Sequence, residues 1–284
     1  MTTSTHVTAP TQFLVANGVR YAYRRFGAAT GTPLVFLQHF RGGLDNWDPL
    51  VTDGLAQGRP VILVNYAGVA SSGSEPAQTV DGMADGIADF IKALALPAAA
   101  DVLGFSIGGF VAQSLAHRYP SLVRKLVLVG TGPRGGTGPD DPRIFQTAAN
   151  PVPVEEDFLF LFFSPSEKSQ AAGRAFWQRR HKRQDLDPPS SVEAMKGQFA
   201  AITEWSAPRD DDFAYLKEIT QPTLVVNGQT DIMVPAINAF TLQQHIPNAQ
   251  LILYPDSGHG SQFQYPLQFV HQTALFLDPP AEPA

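Results

Sequence analysis

The chain reads as a mostly parallel α/β domain opened by an antiparallel hairpin. Three observations predict this class: short continuous Val/Leu/Ile runs, helical patterns placed between them, and an Asn17-Gly18 pair flanked by two extended segments. Continuous apolar runs without alternation are what strands covered on both faces look like, which implies a parallel sheet between helix layers. Asn-Gly suits a tight hairpin turn.

Taken in order, "FLVANGVRYAYRRFG" (13–27) is the hairpin, and "PLVFLQH" (33–39), "PVILVNY" (60–66), "DVLGF" (101–105) and "KLVLVG" (125–130) are buried strands. "PTLVVNG" (222–228) and "AQLILYP" (249–255) complete the sheet. Helices are expected over Val80 to Leu96, Ile107 to Tyr119, Val234 to His245 and Gln264 to Leu277. This alternation of strand and helix is the pattern of right-handed crossovers in a parallel sheet. It stops between Pro133 and Asp212, where helical, aromatic-rich stretches such as "EEDFLFLFFSPSE" (155–167) replace it. An insertion of this kind between two core strands reads as a lid. The chain therefore divides into a first core part (1–132, with 1–10 a disordered leader), a helical lid (133–212) and a second core part (213–284).

Composition narrows the function classes. Hydrophobic residues make up 44% of the 284 and charged residues 16%, which fits a globular chain rather than a disordered one. A net charge of −6 gives no electrostatic reason to expect nucleic acid or an anionic membrane as partner. The absence of cysteine excludes thiolate metal sites and a cysteine nucleophile. No run approaches the roughly 18 apolar residues of a membrane helix, and "MTTSTHVTAP" lacks signal-peptide features. A cytoplasmic monomer or homodimer is expected. The basic run "RRHKR" (179–183) is expected to form a solvated helix face.

The chemistry centres on "DVLGFSIGGFV" (101–111). Ser106 falls between a buried strand and an amphipathic helix, where a strained turn would lift its hydroxyl above the sheet. Gly104 and Gly108 remove the Cβ atoms that would clash there. The Ile107 N–H, at a helix N-terminus, would point to a developing oxyanion. A serine needs a base, and the base an orienting group. Of the seven histidines, His259 follows the last strand directly, at the sheet end where active sites gather. Asp231, just past the penultimate strand, is the favoured acid; Asp256, three residues before His259, competes with it.

The segments "GFSIGG" around Ser106, "NGQTDIMVP" around Asp231, "SGHG" around His259 and "LQHFRGGLDNW" (37–47) resemble those of the α/β-hydrolases. In particular they are similar to the lid-bearing bacterial branch of esterases, lactonases and cofactor-free haloperoxidase-like enzymes. The resemblance implies an α/β-hydrolase fold, with a mostly parallel eight-stranded sheet, helices on both faces, a lid after the sixth strand, and neither cofactor nor metal. It makes Ser106 the nucleophile, His259 the general base and acid, and Asp231 the orienting carboxylate. It places the oxyanion hole at the Ile107 N–H and a donor in the loop after His39. Where the family commonly has His-Gly, this chain has His39-Phe40. The Phe40 N–H is taken as the second donor, with its ring facing the acyl pocket.

The expected activity is hydrolysis of a small or medium carboxylic ester or lactone through an acyl-enzyme. Aromatic residues in the insertion (Phe158, Phe162, Phe163, Trp177, Phe199, Trp205) suggest an apolar substrate, with His39, Phe162, Trp177 and Trp205 as contacts. Perhydrolysis or carbon–carbon bond cleavage would use the same triad. A non-enzymatic ligand sensor on the same architecture is the reading from a different class.

Overall fold

The computed structural model describes residues 4–280. The hairpin comprises β1 (Gln12–Ala16) and β2 (Val19–Gly27), with Asn17 and Gly18 both at positive φ. β3 (Leu34–Leu37), β4 (Pro60–Val64), β5 (Ala100–Phe105), β6 (Val123–Val129), β7 (Thr223–Gly228) and β8 (Ala249–Tyr254) follow. Together they form one eight-stranded sheet in the order β1-β2-β4-β3-β5-β6-β7-β8. β2 pairs antiparallel with β1 and β4, and every other pairing is parallel. β3, β4, β5 and β7 are buried along their whole length, as their unbroken apolar runs require.

One face of the sheet is covered by α2 (Val80–Ala93), α3 (Ile107–Arg118) and α8 (Ile237–His245). The other is covered by α1 (Pro49–Ala56), the short α9 (Ser261–Gln264) and α10 (Pro266–Leu277). The last helical pattern divides at Pro266, which cannot supply the N–H that a continuous helix needs there and instead opens α10 at its first position. α1 is capped by Asp48, whose carboxylate accepts from the Leu50 N–H at 3.0 Å.

Between β6 and β7 lie α4 (Pro142–Ala148), α5 (Glu155–Phe162), α6 (Glu167–Arg180) and α7 (Val192–Ser206). The Phe-rich α5 does not face solvent. Phe158, Phe162, Phe163 and Phe176 join the core that also holds Trp47, Phe105 and Phe263. Phe176 and Phe263 stack at 4.2 Å, so the insertion is seated on the C-terminal end of the sheet by aromatic burial.

The expected disordered leader is corrected for residues 4–10; residues 1–3 lie outside the described part. His6 and Ala9 are buried. The His6 N–H donates to Asp53 at 2.6 Å, and its ring pairs with the Thr52 hydroxyl at 3.0 Å. Arg183 donates to the His6 and Val7 carbonyls.

Candidate active site

Ser106 sits between β5 and α3 at φ 57°, ψ −124°, a conformation that costs a non-glycine residue about 1–3 kcal/mol. The surroundings hold it there. Its N–H donates to the Val129 carbonyl at 2.9 Å, and its carbonyl accepts from the Gly109 N–H and the Thr131 hydroxyl. A Cβ on Gly104 would overlap the Gly108 carbonyl, and one on Gly108 would overlap the Leu37 carbonyl. Gly109 makes room for the Thr131 side chain, just past β6.

His259 lies in the loop after β8, almost completely buried. Its Nδ1 donates to Asp231 Oδ2 at 2.8 Å. A carboxylate only accepts, so this bond fixes the proton on Nδ1 and leaves Nε2 free to accept one. Asp231, in the turn after β7, is itself held by its Oδ1, which accepts from the Met233 and Val234 N–H groups at 2.9 Å each. The competing Asp256 is turned away. Its carboxylate accepts from the Ser164 and Ser166 hydroxyls at 2.6 Å each, and these bonds hold its pKa below the usual carboxylate value. The Gly260 N–H donates to the Phe162 carbonyl at 2.7 Å, so the end of α5 is joined to the His259 loop.

Two cavities meet at Ser106. The first, of about 430 Å³, is walled by His39, Phe162, Trp177, Arg180 and His259 among others. The second, of about 570 Å³, is lined almost wholly by apolar groups, including Ile107, Phe110, Phe145, Met195 and Phe199. Phe40, Ser106, Ala148 and Met233 border both. The Ser106 hydroxyl and the His259 ring both border the first cavity, and no hydrogen bond joins them.

Among the described residues, neither the Phe40 nor the Ile107 N–H has a hydrogen-bond partner. The Phe40 loop turns tightly, with Arg41 at φ 60° and the Gly42 N–H donating to the His39 carbonyl at 2.9 Å. Arg41 also laces this loop to the insertion. Its guanidinium donates to the carbonyls of Ala148, Asn150 and Pro151, its N–H to Gln198, and its carbonyl accepts from Ser190.

His39 stands in the wall of the first cavity among the Phe105, Phe158 and Phe162 rings. Its Nδ1 donates to the Phe40 carbonyl at 2.8 Å, and burial pulls its pKa down to about 3, so the ring is neutral. Phe162 and Trp177 line the same cavity.

Trp205 is corrected: it borders neither cavity. It is buried, stacked on Phe110 at 5.4 Å, with the Arg134 guanidinium 4.4 Å from its ring. It joins α7 to α3, which an indole does well because it buries a large flat area. The basic run 179–183 is a solvated face only in part, since His181 and Lys182 are exposed while the three arginines are engaged. Arg179 is paired in a fork with the buried Asp48, Arg180 lines the first cavity, and Arg183 is buried against the N-terminal segment. Arg180 was the residue that the sequence did not point to. Its only signal is its place one helical turn after Phe176, on the face that α6 turns to the core.

Among the described residues, no group of three or more His, Cys, Asp or Glu side chains is placed to hold a metal ion. No helix there is long and apolar enough to cross a membrane.

A family model described as alpha/beta hydrolase fold matches residues 32–266. The chain belongs to the α/β-hydrolase family. It is similar to an alpha/beta hydrolase fold protein from Chitinophaga pinensis, at 41% identity and a TM-score of 0.91, covering 98% of this chain and 100% of that one. It is 31% identical over 250 residues to the pimeloyl-[acyl-carrier protein] methyl ester esterase of Nitrosomonas europaea, covering 84% of this chain and 93% of the relative. It is 26% identical to the 2-hydroxymuconate semialdehyde hydrolase of a Pseudomonas species, covering 93% and 92%.

Proposed function

We propose that this chain is a serine hydrolase that cleaves a small or medium carboxylic ester or lactone through an acyl-enzyme. One observation carries the reading. Ser106 stands on a strained strand-to-helix turn in a cavity shared with His259, whose far nitrogen is bonded to Asp231. Relatives named as esterase, lipase and hydrolase support an ester-cleaving activity.

In this mechanism Ser106 Oγ bonds to the carbonyl carbon as its proton passes to His259 Nε2. Asp231 holds the imidazolium that forms. The carbonyl oxygen, now an oxyanion, takes the unpartnered Phe40 and Ile107 N–H groups as donors. The tetrahedral carbon expels the leaving group, whose oxygen takes the proton from His259. Water then gives a proton to His259 and its oxygen to the acyl carbon. Collapse releases the acid and returns the proton to Ser106. The helical segment 133–212 acts as the lid over both cavities.

Carbon–carbon bond cleavage by the same groups is the second reading, favoured by the likeness to 2-hydroxymuconate semialdehyde hydrolase along nearly the full length. A fluorophosphonate probe and a panel of p-nitrophenyl esters and lactones test the first. Labelling and turnover that vanish in Ser106→Ala are expected. A folded wild type that neither labels nor turns over any ester excludes it and leaves a ligand sensor as the alternative.

A further inference from the structure

Arg180, in the last turn of α6, is a buried cation without an anion. Among the described residues none of its nitrogens makes a hydrogen bond or ion pair, and Nη1 is in addition shut off from solvent. Its guanidinium carbon lies 4.4 Å from the centre of the Phe158 ring and 4.8 Å from that of Trp177. The side chain keeps some accessible area because it borders the first cavity, although most of the volume around it is protein. Burial brings its pKa down to about 10, which leaves it charged at neutral pH. A buried charge with no hydrogen-bonded partner is costly, and aromatic faces offset only part of that cost.

The acids nearby do not serve it. Asp45 is paired with Arg24 and lies 3.8 Å from Arg183, and Asp48 is paired with Arg179. Asp157 accepts from Asn150 and from the Val154 N–H at the start of α5. Asp187 accepts from Asn65 and Ser71. With these acids engaged and Nη1 enclosed, the Nε–Nη2 edge of Arg180 is left for a group entering the cavity. That edge presents two parallel N–H donors, the spacing a carboxylate accepts bidentately.

The two cavities differ in a way that says which part of the substrate this is. His259, which must protonate the leaving oxygen, borders only the first cavity, and Arg180 borders the same one. The apolar second cavity contains Ile107, one of the oxyanion donors, but not His259. The acyl chain therefore belongs in the second cavity and the leaving group in the first. Resting on the hydrolase reading above, we propose that the leaving group carries a carboxylate, held by the Nε–Nη2 edge of Arg180. The substrate is an apolar acyl ester of a hydroxy acid rather than a wholly apolar ester.

The test pairs two butanoate esters that differ in one group, those of 4-hydroxybenzoate and of 4-hydroxybenzamide. Each kcat/KM is divided by the rate of alkaline hydrolysis of the same ester. In the wild type the carboxylate ester is expected to be preferred by about 10- to 100-fold, the range for a hydrogen bond between charged groups. Arg180→Met should fall at least ten times more heavily on the carboxylate ester than on the amide, and Arg180→Lys should lie between. Equal rates in the wild type, or equal losses in Arg180→Met, overturn the proposal while leaving the hydrolase reading intact.

Loss of all Ser106-dependent turnover would instead remove the hydrolase reading, and a binding experiment then decides the role of Arg180. 4-Hydroxybenzoate is titrated calorimetrically into Ser106→Ala, Ser106→Ala/Arg180→Lys and Ser106→Ala/Arg180→Met, with 4-hydroxybenzamide as the neutral control. Binding of the carboxylate alone, weakened by lysine and lost with methionine, supports the seat. No binding, equal binding of the amide, or preference for 4-hydroxyphenyl phosphate overturns it.

Discussion

Replacing Asp231 with asparagine reverses one hydrogen bond and leaves the others in place. Asp231 Oδ1 accepts two backbone N–H groups at 2.9 Å each, from Met233 and Val234. An asparagine must keep its carbonyl oxygen there, because turning its amino group toward two donors would lose both bonds, at about 1–3 kcal/mol for each group left unmet. Its Nδ2 then faces His259 Nδ1, where the carboxylate oxygen stood 2.8 Å away. Two donors cannot meet, so the imidazole proton moves to Nε2, and the nitrogen nearest Ser106 can no longer accept a proton. Loss of the base in this way costs about 1,000- to 10,000-fold in kcat when the orienting acid of a triad is made an amide. Packing is unchanged, so the stability loss should stay near 1–2 kcal/mol, the difference between charged and neutral hydrogen bonds. Stopped-flow acylation with a p-nitrophenyl ester measures the first effect and thermal unfolding the second. Near-normal acylation in a folded Asp231→Asn protein, or an equal loss in Asp256→Asn, would refute the reasoning.

Gly108→Ala puts a methyl group against the Leu37 and Gln38 carbonyls, both rigid backbone. A stability loss of about 2–3 kcal/mol is expected, with a larger fall in kcat because the loop of the proposed donor Phe40 begins there, and an unchanged Tm would contradict this. Trp205→Leu should cost about 2–4 kcal/mol of stability while kcat/KM per folded molecule stays at the wild-type value, since the indole is core rather than pocket. Acid should weaken the fold through His6 and His39, whose burial lowers their pKa values to about 4 and about 3. The unfolded chain takes up these protons near pH 6.5 and the native chain does not. Stability is therefore full above that pH and falls by about 1.4 kcal/mol per pH unit per histidine, until pH drops through the folded values. Urea titrations at pH 7, 6 and 5 should show this, with a slope smaller by one proton in His6→Asn; an unaltered slope would rule His6 out.

The sheet and the Ser106, Asp231 and His259 loops were legible in the sequence because each is written locally. A strand covered on both faces must be a continuous apolar run, and a serine on a strained turn needs glycines beside it. The Arg180 cavity was not legible, because "RRHKR" is the same string whether its helix faces water or core. Only the docking of α6 on Phe263 decides that. The N-terminal segment escaped for a similar reason. His6 and Val7 are fixed by Thr52 and Arg183, 46 and 176 residues away. Trp205 shows the reverse limit, since an aromatic residue in an insertion looks the same whether it touches ligand or braces a helix.

In the proposed mechanism, Arg41 would give the insertion a role in timing as well as in enclosure. The residue that follows Phe40, the proposed oxyanion donor, is tied through its N–H, carbonyl and guanidinium to Gln198, Ser190 and the stretch from Ala148 to Pro151. A movement that parts the helices from the sheet must break these ties or carry residue 41 along, and in the second case the Phe40 N–H leaves its post. An opened enzyme would then be a disarmed one. Admission of substrate and readiness to react would become successive states of one switch, and water that entered before the ester would meet no assembled catalyst.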